Sequence, residues 1–531
     1  MPLAAKLVLA IAAAFGQGGV VVALVQMRSH PKGLKVLFFT EMWERFSFYG
    51  MRALLSLYMI TPASGGGLGF TKSTATLIYG TYGMLIYLMA LPGGWVADRF
   101  LGYRRAVVTG GVVLACGHLC LAFSPLPFFF GGLILIILGT GLLKTNCTTM
   151  VGMLYPGADH RRDGGYSIYY MGINLGAFLA PLVCGYMGQD PAFIKLLQGA
   201  GLATEHGWHW GFAAAAVAMM LGLIQFKVQE HKLGDVGLHS AHQDETKEQL
   251  AHEADPARRA ALLPKALATF SFLGAVIMSI TGQGYFSPFY TVPLGALAGA
   301  GFGYVNWDYV DLTGEEKKRL AAIGLLVFFS MLFWAIFEQA GTTLTFFADE
   351  QTDCSLFGWA FPSSWFQSVN SLFIMVLAPV FAWGWSALGT KEPSSPAKFA
   401  IGVFCVGAGF LLLASPAKVF ALTHSKASPL FLVATYFIHT IGELSLSPVG
   451  LSATSKLAPD KFKSLMMGVF FLSISFGYKI GGYAAGLTEK LPAAQIFTVT
   501  FTITTVSTIV LLALVPTIKG LMGGEPEAGA H

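Results

Sequence analysis

About twelve apolar runs of some 20 residues each dominate this chain, and no other feature restricts its fold as strongly. A helix rising 1.5 Å per residue needs roughly 20 such residues to cross a ~30 Å hydrocarbon layer. The runs lie approximately at 36–60, 74–97, 106–124, 127–153, 166–188 and 208–226, and again at 321–347, 364–388, 399–416, 429–453, 465–487 and 494–516. Most lack the polar face at helical spacing that a large soluble core would need. Composition agrees: of 531 residues, 54% are apolar and only 11% charged, where a soluble protein keeps about a quarter charged. Mean hydropathy is +0.63. The fold class expected is an all-α multi-pass membrane protein.

The loops sort by charge. Arg28, Lys32 and Lys35 precede the first run; Arg99, Arg104 and Arg105 follow the second; Arg161 and Arg162 follow the fourth. The alternate short loops are poorer in Lys and Arg. Positive charge marks the cytoplasmic side, so both ends of the twelve-helix core are expected there, in the cell inner membrane. The net charge of +5 therefore follows membrane sidedness, and no nucleic-acid partner is expected. The six cysteines form no C-x-x-C pair, so neither a disulfide framework nor a zinc site is indicated. The expected divisions are an apolar extension at 1–30, a six-helix bundle at 31–227, a linker at 228–320, a second bundle at 321–518 and a tail at 519–531. Within the linker, 264–282 and 285–304 read as a helical hairpin. Residues 7–26 are apolar enough to span, and a peripheral helix is the other reading. A faint repeat supports two halves: Leu91–Arg105 and Ala378–Lys391 each combine Pro, Trp, Gly and a basic end after their helix.

Charges occur where lipid forbids them. The first run, VLFFTEMWERFSFYGMRALLSLYMI, contains Glu41, Glu44, Arg45 and Arg52. At 100° per residue these share one face with Phe48 and Tyr49, within an arc of about 140°. A charge near mid-bilayer costs at least ~2.5–3.5 kcal/mol, so the stripe must face a cavity or other charges. Lys144 sits in the fourth run, Glu338 in the seventh and Glu443 in the tenth. Lys479 reads as a snorkelling anchor, and His118 and His439 as buried, satisfied histidines. Burial favours a neutral acid while a nearby cation favours its anion. Glu41, Glu44 and Glu338 can therefore exchange a salt bridge for a proton, which turns protonation into a conformational bias. Cations in one half and Glu443 in the other suit a zwitterion.

With these residues on the page, the sequence resembles the proton-dependent oligopeptide transporter (POT) family of the major facilitator superfamily, from about residue 30 to 518. EMWERFSFYGMR is similar to the family's E-x-x-E-R-F-x-Y-Y-G signature. GGWVADRFLGYRR resembles its second loop, YSIYYMGINLGAFLAP its fifth-helix signature, and GELSLSPVGLSATSKLAP its tenth helix. The resemblance implies a major facilitator fold: two six-helix bundles with an extra hairpin between them, of the bacterial type. It also implies import of di- and tripeptides by proton symport with alternating access, with no cofactor beyond protons as coupling ion. Glu41, Glu44 and Arg45 would form the proton-coupling triplet with Lys144 as partner, and Arg52 would pair with Glu338 across the halves. Arg45 and Lys144 would attract the peptide carboxylate, and Glu443 with Asn174 and Asn370 would hold the amino end and backbone. Tyr49, Tyr87 and Trp334 would line side-chain pockets, a role that spacing alone does not assign. A monomer in the lipid bilayer is expected.

Three positions depart from the family pattern. Phe48 replaces the first Tyr of Tyr-Tyr-Gly, Thr145 stands where Pro is common, and Gly80 stands where some members carry a histidine. Coupling here should therefore not need histidine. The rival readings are a same-fold carrier of another small anion or zwitterion (nitrate, a dicarboxylate, an amino-acid derivative), a channel and a membrane enzyme. Glu443 would repel an anion. A channel wants rings of like residues, and no H-E-x-x-H, G-x-S-x-G or Walker lysine motif marks an enzyme.

Overall fold

A computed structural model of the chain describes residues 14, 17–156, 159–202, 206–238, 312–356, 358–459 and 463–523. Among these, twelve long helices occupy the places of the apolar runs. In the first half they are α1 (Lys32–Ile60), α2 (Lys72–Leu88, continued by Ala90–Val96 and a wide turn at Ala97–Leu101), α3 (Tyr103–Leu121), α4 (Leu126–Met153), α5 (Arg162–Gln189) and α6 (Trp208–Gln229). In the second they are α7 (Gly314–Phe337), α8 (Gln367–Leu388), α9 (Ser395–Thr423), α10 (Pro429–Leu457), α11 (Lys463–Gly486) and α12 (Ala493–Leu521). Ten spans are long and apolar enough to cross a membrane by composition among the described residues, and α1 and α11 complete the set of twelve long helices. Prolines open α4, α9 and α10 within their first two positions, where no backbone donor is lost. Thr71 caps α2 by accepting from the Thr74 N–H at 3.2 Å. The expected hairpin stretches 264–282 and 285–304 lie outside the described residues.

The packing repeats with a period of six helices. In the first half α1 packs on α5 and α6, α3 on α4 and α6, and α2 on α4; in the second α7 packs on α11 and α12, α9 on α10 and α12, and α8 on α10. Lipid tails are as apolar as leucine, so helices in a membrane associate through close backbone approach at small residues. The α3–α4 crossing shows this: a Cβ on Gly110 would lie 2.7 Å from the Gly139 carbonyl oxygen. The sixfold-shifted crossing repeats it, a Cβ on Gly402 lying 3.0 Å from the Gly442 oxygen. Two seams join the halves, α2 with α11 and α5 with α8.

Every described hydrogen bond and ion pair between the halves lies between mid-depth and the end where α1 finishes. There Lys72 meets Glu350 at 2.7 Å and the Ser73 N–H donates to Glu489 at 2.8 Å. Gln189 meets Ser363 at 3.1 Å, and Ser368 donates to the Phe178 carbonyl at 2.7 Å. Among the described residues the molecule is thus latched at one end only. At the other end, Arg104 ties the α2–α3 turn to the chain after α6 by donating to the carbonyls of Val236 (2.6 Å) and Gly234.

Residues 17–26 form a further helix, leading through a short turn at Met27–Ser29 into α1. A Cβ on its Gly19 would lie 3.5 Å from Leu175, at the middle of α5. This part of the extension therefore climbs along the bundle to mid-depth.

Candidate functional site

The four charges of α1 do share one face, and it is buried: Glu41, Glu44, Arg45 and Arg52 are all at most 7% exposed. They divide into two clusters. Nearer the start of α1, the Arg45 Nε lies 3.0 Å from Glu41 and 2.5 Å from Glu44. These are close ionic contacts without aligned hydrogen bonds, and both Glu44 oxygens and the Arg45 Nη2 are buried with no hydrogen-bond partner among the described residues. Such groups are costly unless a further group completes them. Glu41 has one: the Tyr169 hydroxyl of α5 donates to it at 2.5 Å. Lys144 stands beside this cluster on α4, within 4.0 Å of no carboxylate among the described residues. Its ammonium lies 4.1 Å from the centre of the Tyr87 ring, a cation–π contact.

Two helical turns further along α1, Arg52 donates to Glu338 of α7 at 2.7 Å and to the Tyr79 hydroxyl of α2 at 2.6 Å. This is the expected pair across the halves. α7 is shaped to deliver its acid: it leaves α-helical geometry at a tight turn, Glu338–Gly341, before resuming at Thr343–Gln351. Short 3₁₀ stretches inside helices often mark hinges. The freed Gly341 carbonyl accepts from Ser56 of α1. Aromatic rings enclose Arg52, with Tyr49 5.5 Å away and Tyr79 and Tyr478 each at 5.9 Å. Tyr478 also packs on Tyr87 at 5.7 Å between ring centres. One chain of rings thus connects the Lys144 cluster to the Arg52–Glu338 pair.

In the second half, Asn370 of α8 donates to Glu443 and to Thr440 of α10, both at 3.0 Å. Glu443 stands at the middle of α10, at a depth comparable to that of Arg45 in α1 and Lys144 in α4. Asn174 does not join it by contact: its amide donates to the Tyr170 carbonyl of its own helix at 3.0 Å. The Trp334 indole N–H is buried without a partner.

The departures from the family pattern have physical readings. Phe48, buried and without a hydroxyl, lies under the Arg45 guanidinium at 5.5 Å. Thr145 keeps the backbone donor that a proline would lack, and α4 runs unbroken through it. At Gly80 a Cβ would lie 2.7 Å from the Tyr478 carbonyl and 3.0 Å from the Gly482 Cα. The α2–α11 seam leaves no room for a histidine there.

Two sequence readings need correction. Lys479 does not snorkel; it is buried and donates across the seam to Thr81 at 2.6 Å. His118 is buried but unsatisfied, neither ring nitrogen having a partner among the described residues; His439 bonds to the Val406 backbone and leaves only its Nε2 unpaired there. Sequence reasoning missed Tyr79, Tyr169 and Tyr478, because tyrosines among apolar residues give no signal that separates a hydrogen-bond donor from a packing ring.

Comparison with known proteins identifies the family. The POT family model matches residues 104–232 and 301–503. The chain belongs to the POT family. It is 41% identical to the uncharacterized transporter YclF of Bacillus subtilis (strain 168), over 93% of this chain and 96% of that protein. It is 34% identical to a di-/tripeptide transporter of Lactococcus lactis subsp. cremoris, over 93% and 97%. Among solved structures, a peptide transporter POT in complex with sulfate superposes with a TM-score of 0.77 at 39% identity, covering 93% of this chain and 96% of that one. The POT chain described here is therefore a multi-pass membrane transporter of the major facilitator fold.

Proposed function

We propose that this transporter imports di- and tripeptides across the cell inner membrane by proton symport with alternating access, as a monomer and without catalysis or a cofactor. One observation carries the reading: the first half holds Arg45, buried with donors left unpaired among the described residues, and half-buried Lys144, while the second holds half-buried Glu443, bonded by Asn370. A free peptide carries a carboxylate and an ammonium at its two ends. The printed names of the Lactococcus relative and of the sulfate-bound neighbour favour the same substrate class. The basic loops favour the cytoplasmic side for the end where α1 begins, and in this reading the latched end faces outward. We divide the chain into bundles at 31–227 and 321–518, on the sixfold repeat of its packing.

In this reading an arriving carboxylate completes the donors of Arg45 and Lys144. Glu41 or Glu44 then loses its counter-charge and takes up a proton. Glu338, once protonated, releases Arg52, and the latched end is free to open. Asn174, Tyr49, Tyr87 and Trp334 shape the space for side chains. The test is the pH dependence of dipeptide binding by the purified protein. Wild type should take up a proton on binding near neutral pH, and Glu44→Gln should lose most of that dependence. An unchanged profile in the variant would remove the α1 cluster from the coupling mechanism.

A further inference from the structure

We propose that the pocket between residues 21–25, the start of α1 and the chain after α6 binds one anionic phospholipid. A cavity of about 550 Å³ opens there, with Arg28, Lys32, Lys35 and Lys232 around one part and Val21 and Val25 along another. Among the described residues no carboxylate lines it. None of the four cations has an ion-pair partner among the described residues, and the Lys232 ammonium donates only to Gln229 at 3.3 Å. Their neighbour Lys227, by contrast, is paired with Glu230 at 2.9 Å.

The helix geometry sharpens the imbalance. Lys32 opens α1 and Lys35 follows within its first turn, which contains no acid. A helix N-terminus already carries about half a positive charge, so cations there are locally unfavourable. An anion in the pocket would offset both lysines and the helix end together.

The apolar part tells a free anion from a lipid. Val21 and Val25 are 57% and 53% exposed, on a helix that climbs along α5 to mid-depth. Their exposed faces therefore meet the hydrocarbon layer directly above the cations. A phosphodiester at the interface with an acyl chain beside it fills both parts, whereas inorganic phosphate uses only one. Basic pockets beside spanning helices on the cytoplasmic side are suited to anionic headgroups.

The experiment is lipid retention on the purified full chain, read by native mass spectrometry after exposure to equimolar phosphatidylglycerol and phosphatidylcholine. One phosphatidylglycerol should be retained in preference, and Lys32→Ala/Lys35→Ala/Lys232→Ala should weaken it by about 100-fold, at roughly fivefold per cation. Equal retention of the two lipids by wild type, or unchanged phosphatidylglycerol retention by the triple variant, overturns the proposal. Millimolar inorganic phosphate should not displace the lipid; full displacement would make the occupant a free anion and overturn it as well. Should the triple variant fail to fold, the wild type still decides: raising salt should release phosphatidylglycerol, since exposed charges are screened, and salt-insensitive retention counts against the site. No arm requires transport, so failure here is distinguishable from failure of the peptide reading.

Discussion

Replacing Glu338 by Gln tests the latch between the halves. Arg52 and Glu338 lie 2.7 Å apart with side chains 8% and 5% exposed. At an effective dielectric of 20 their attraction is about 6 kcal/mol, largely offset by desolvation; removing one partner of such a buried pair costs about 3–5 kcal/mol. The glutamine amide still accepts one hydrogen bond from the guanidinium, worth about 1.5–3 kcal/mol. The net loss is about 2 kcal/mol, or roughly a 30-fold shift away from the latched state. Two measurements follow. Proton-driven accumulation of a dipeptide in proteoliposomes should vanish while peptide-for-peptide exchange persists. Disulfide formation in a Ser73→Cys/Gly486→Cys background should also fall, because a Cβ on Gly486 would sit 3.4 Å from the Ser73 hydroxyl in the latched state. Accumulation against a gradient by the variant would remove Glu338 from coupling. Lost transport with unchanged cross-linking would refute the argument that the pair acts through closure.

Three further outcomes are expected. Glu443→Gln should weaken peptides with a free amino end about tenfold or more, since hydrogen bonds to charged groups are worth about 1.5–3 kcal/mol, and spare N-acetylated ones; equal losses in a binding assay would make Glu443 structural. Gly80→Ala should destabilise by about 1–3 kcal/mol through overpacking against the Tyr478 and Gly482 backbone, seen as a lower thermal midpoint, and an unchanged midpoint would mean the seam can spread. In the loop before α5, hydrogen bonds from Arg161 hold the Asp159 carboxyl down at about 2, and Arg161 also donates to the Ser29 carbonyl at 2.8 Å. A depressed carboxyl contributes stability above its ordinary value near 3.8 and loses it as pH falls through about 2. The clasp should thus persist at every pH of transport, and NMR titration of the wild type, with Asp159→Asn as control, should show no change at this site above pH 5.

The spans were legible because lipid allows one solution to a long apolar run, and the structure places a helix at each. The charged face of α1 was legible for the same reason, since charges that lipid cannot host must share a cavity. Its division into two clusters was not: spacing on one helix cannot tell that Arg52 turns to α7 while Arg45 stays with its own carboxylates. Pairing across the halves depends on which helices meet, and that was carried by residues with little signal of their own. Gly482 reads as an ordinary glycine in an apolar run, and Gly80 only as a missing histidine, until α2 and α11 are seen to cross. Lys479 was misread because its depth in α11 was visible, whereas Thr81 on the opposite helix was not. Tyr79, Tyr169 and Tyr478 take their roles entirely from tertiary neighbours.

The contact of Gly80 with Gly482 has a mechanical meaning. Helices that interlock through large side chains act like meshed gears: ridges must climb out of grooves before either helix can turn. Where two bare backbones meet, as at Gly80 and Gly482, no such ridge stands in the way at the point of contact. A carrier that must reverse its opening in every cycle needs such a contact where its halves stay together. A side chain at Gly80 should therefore slow turnover before it weakens affinity.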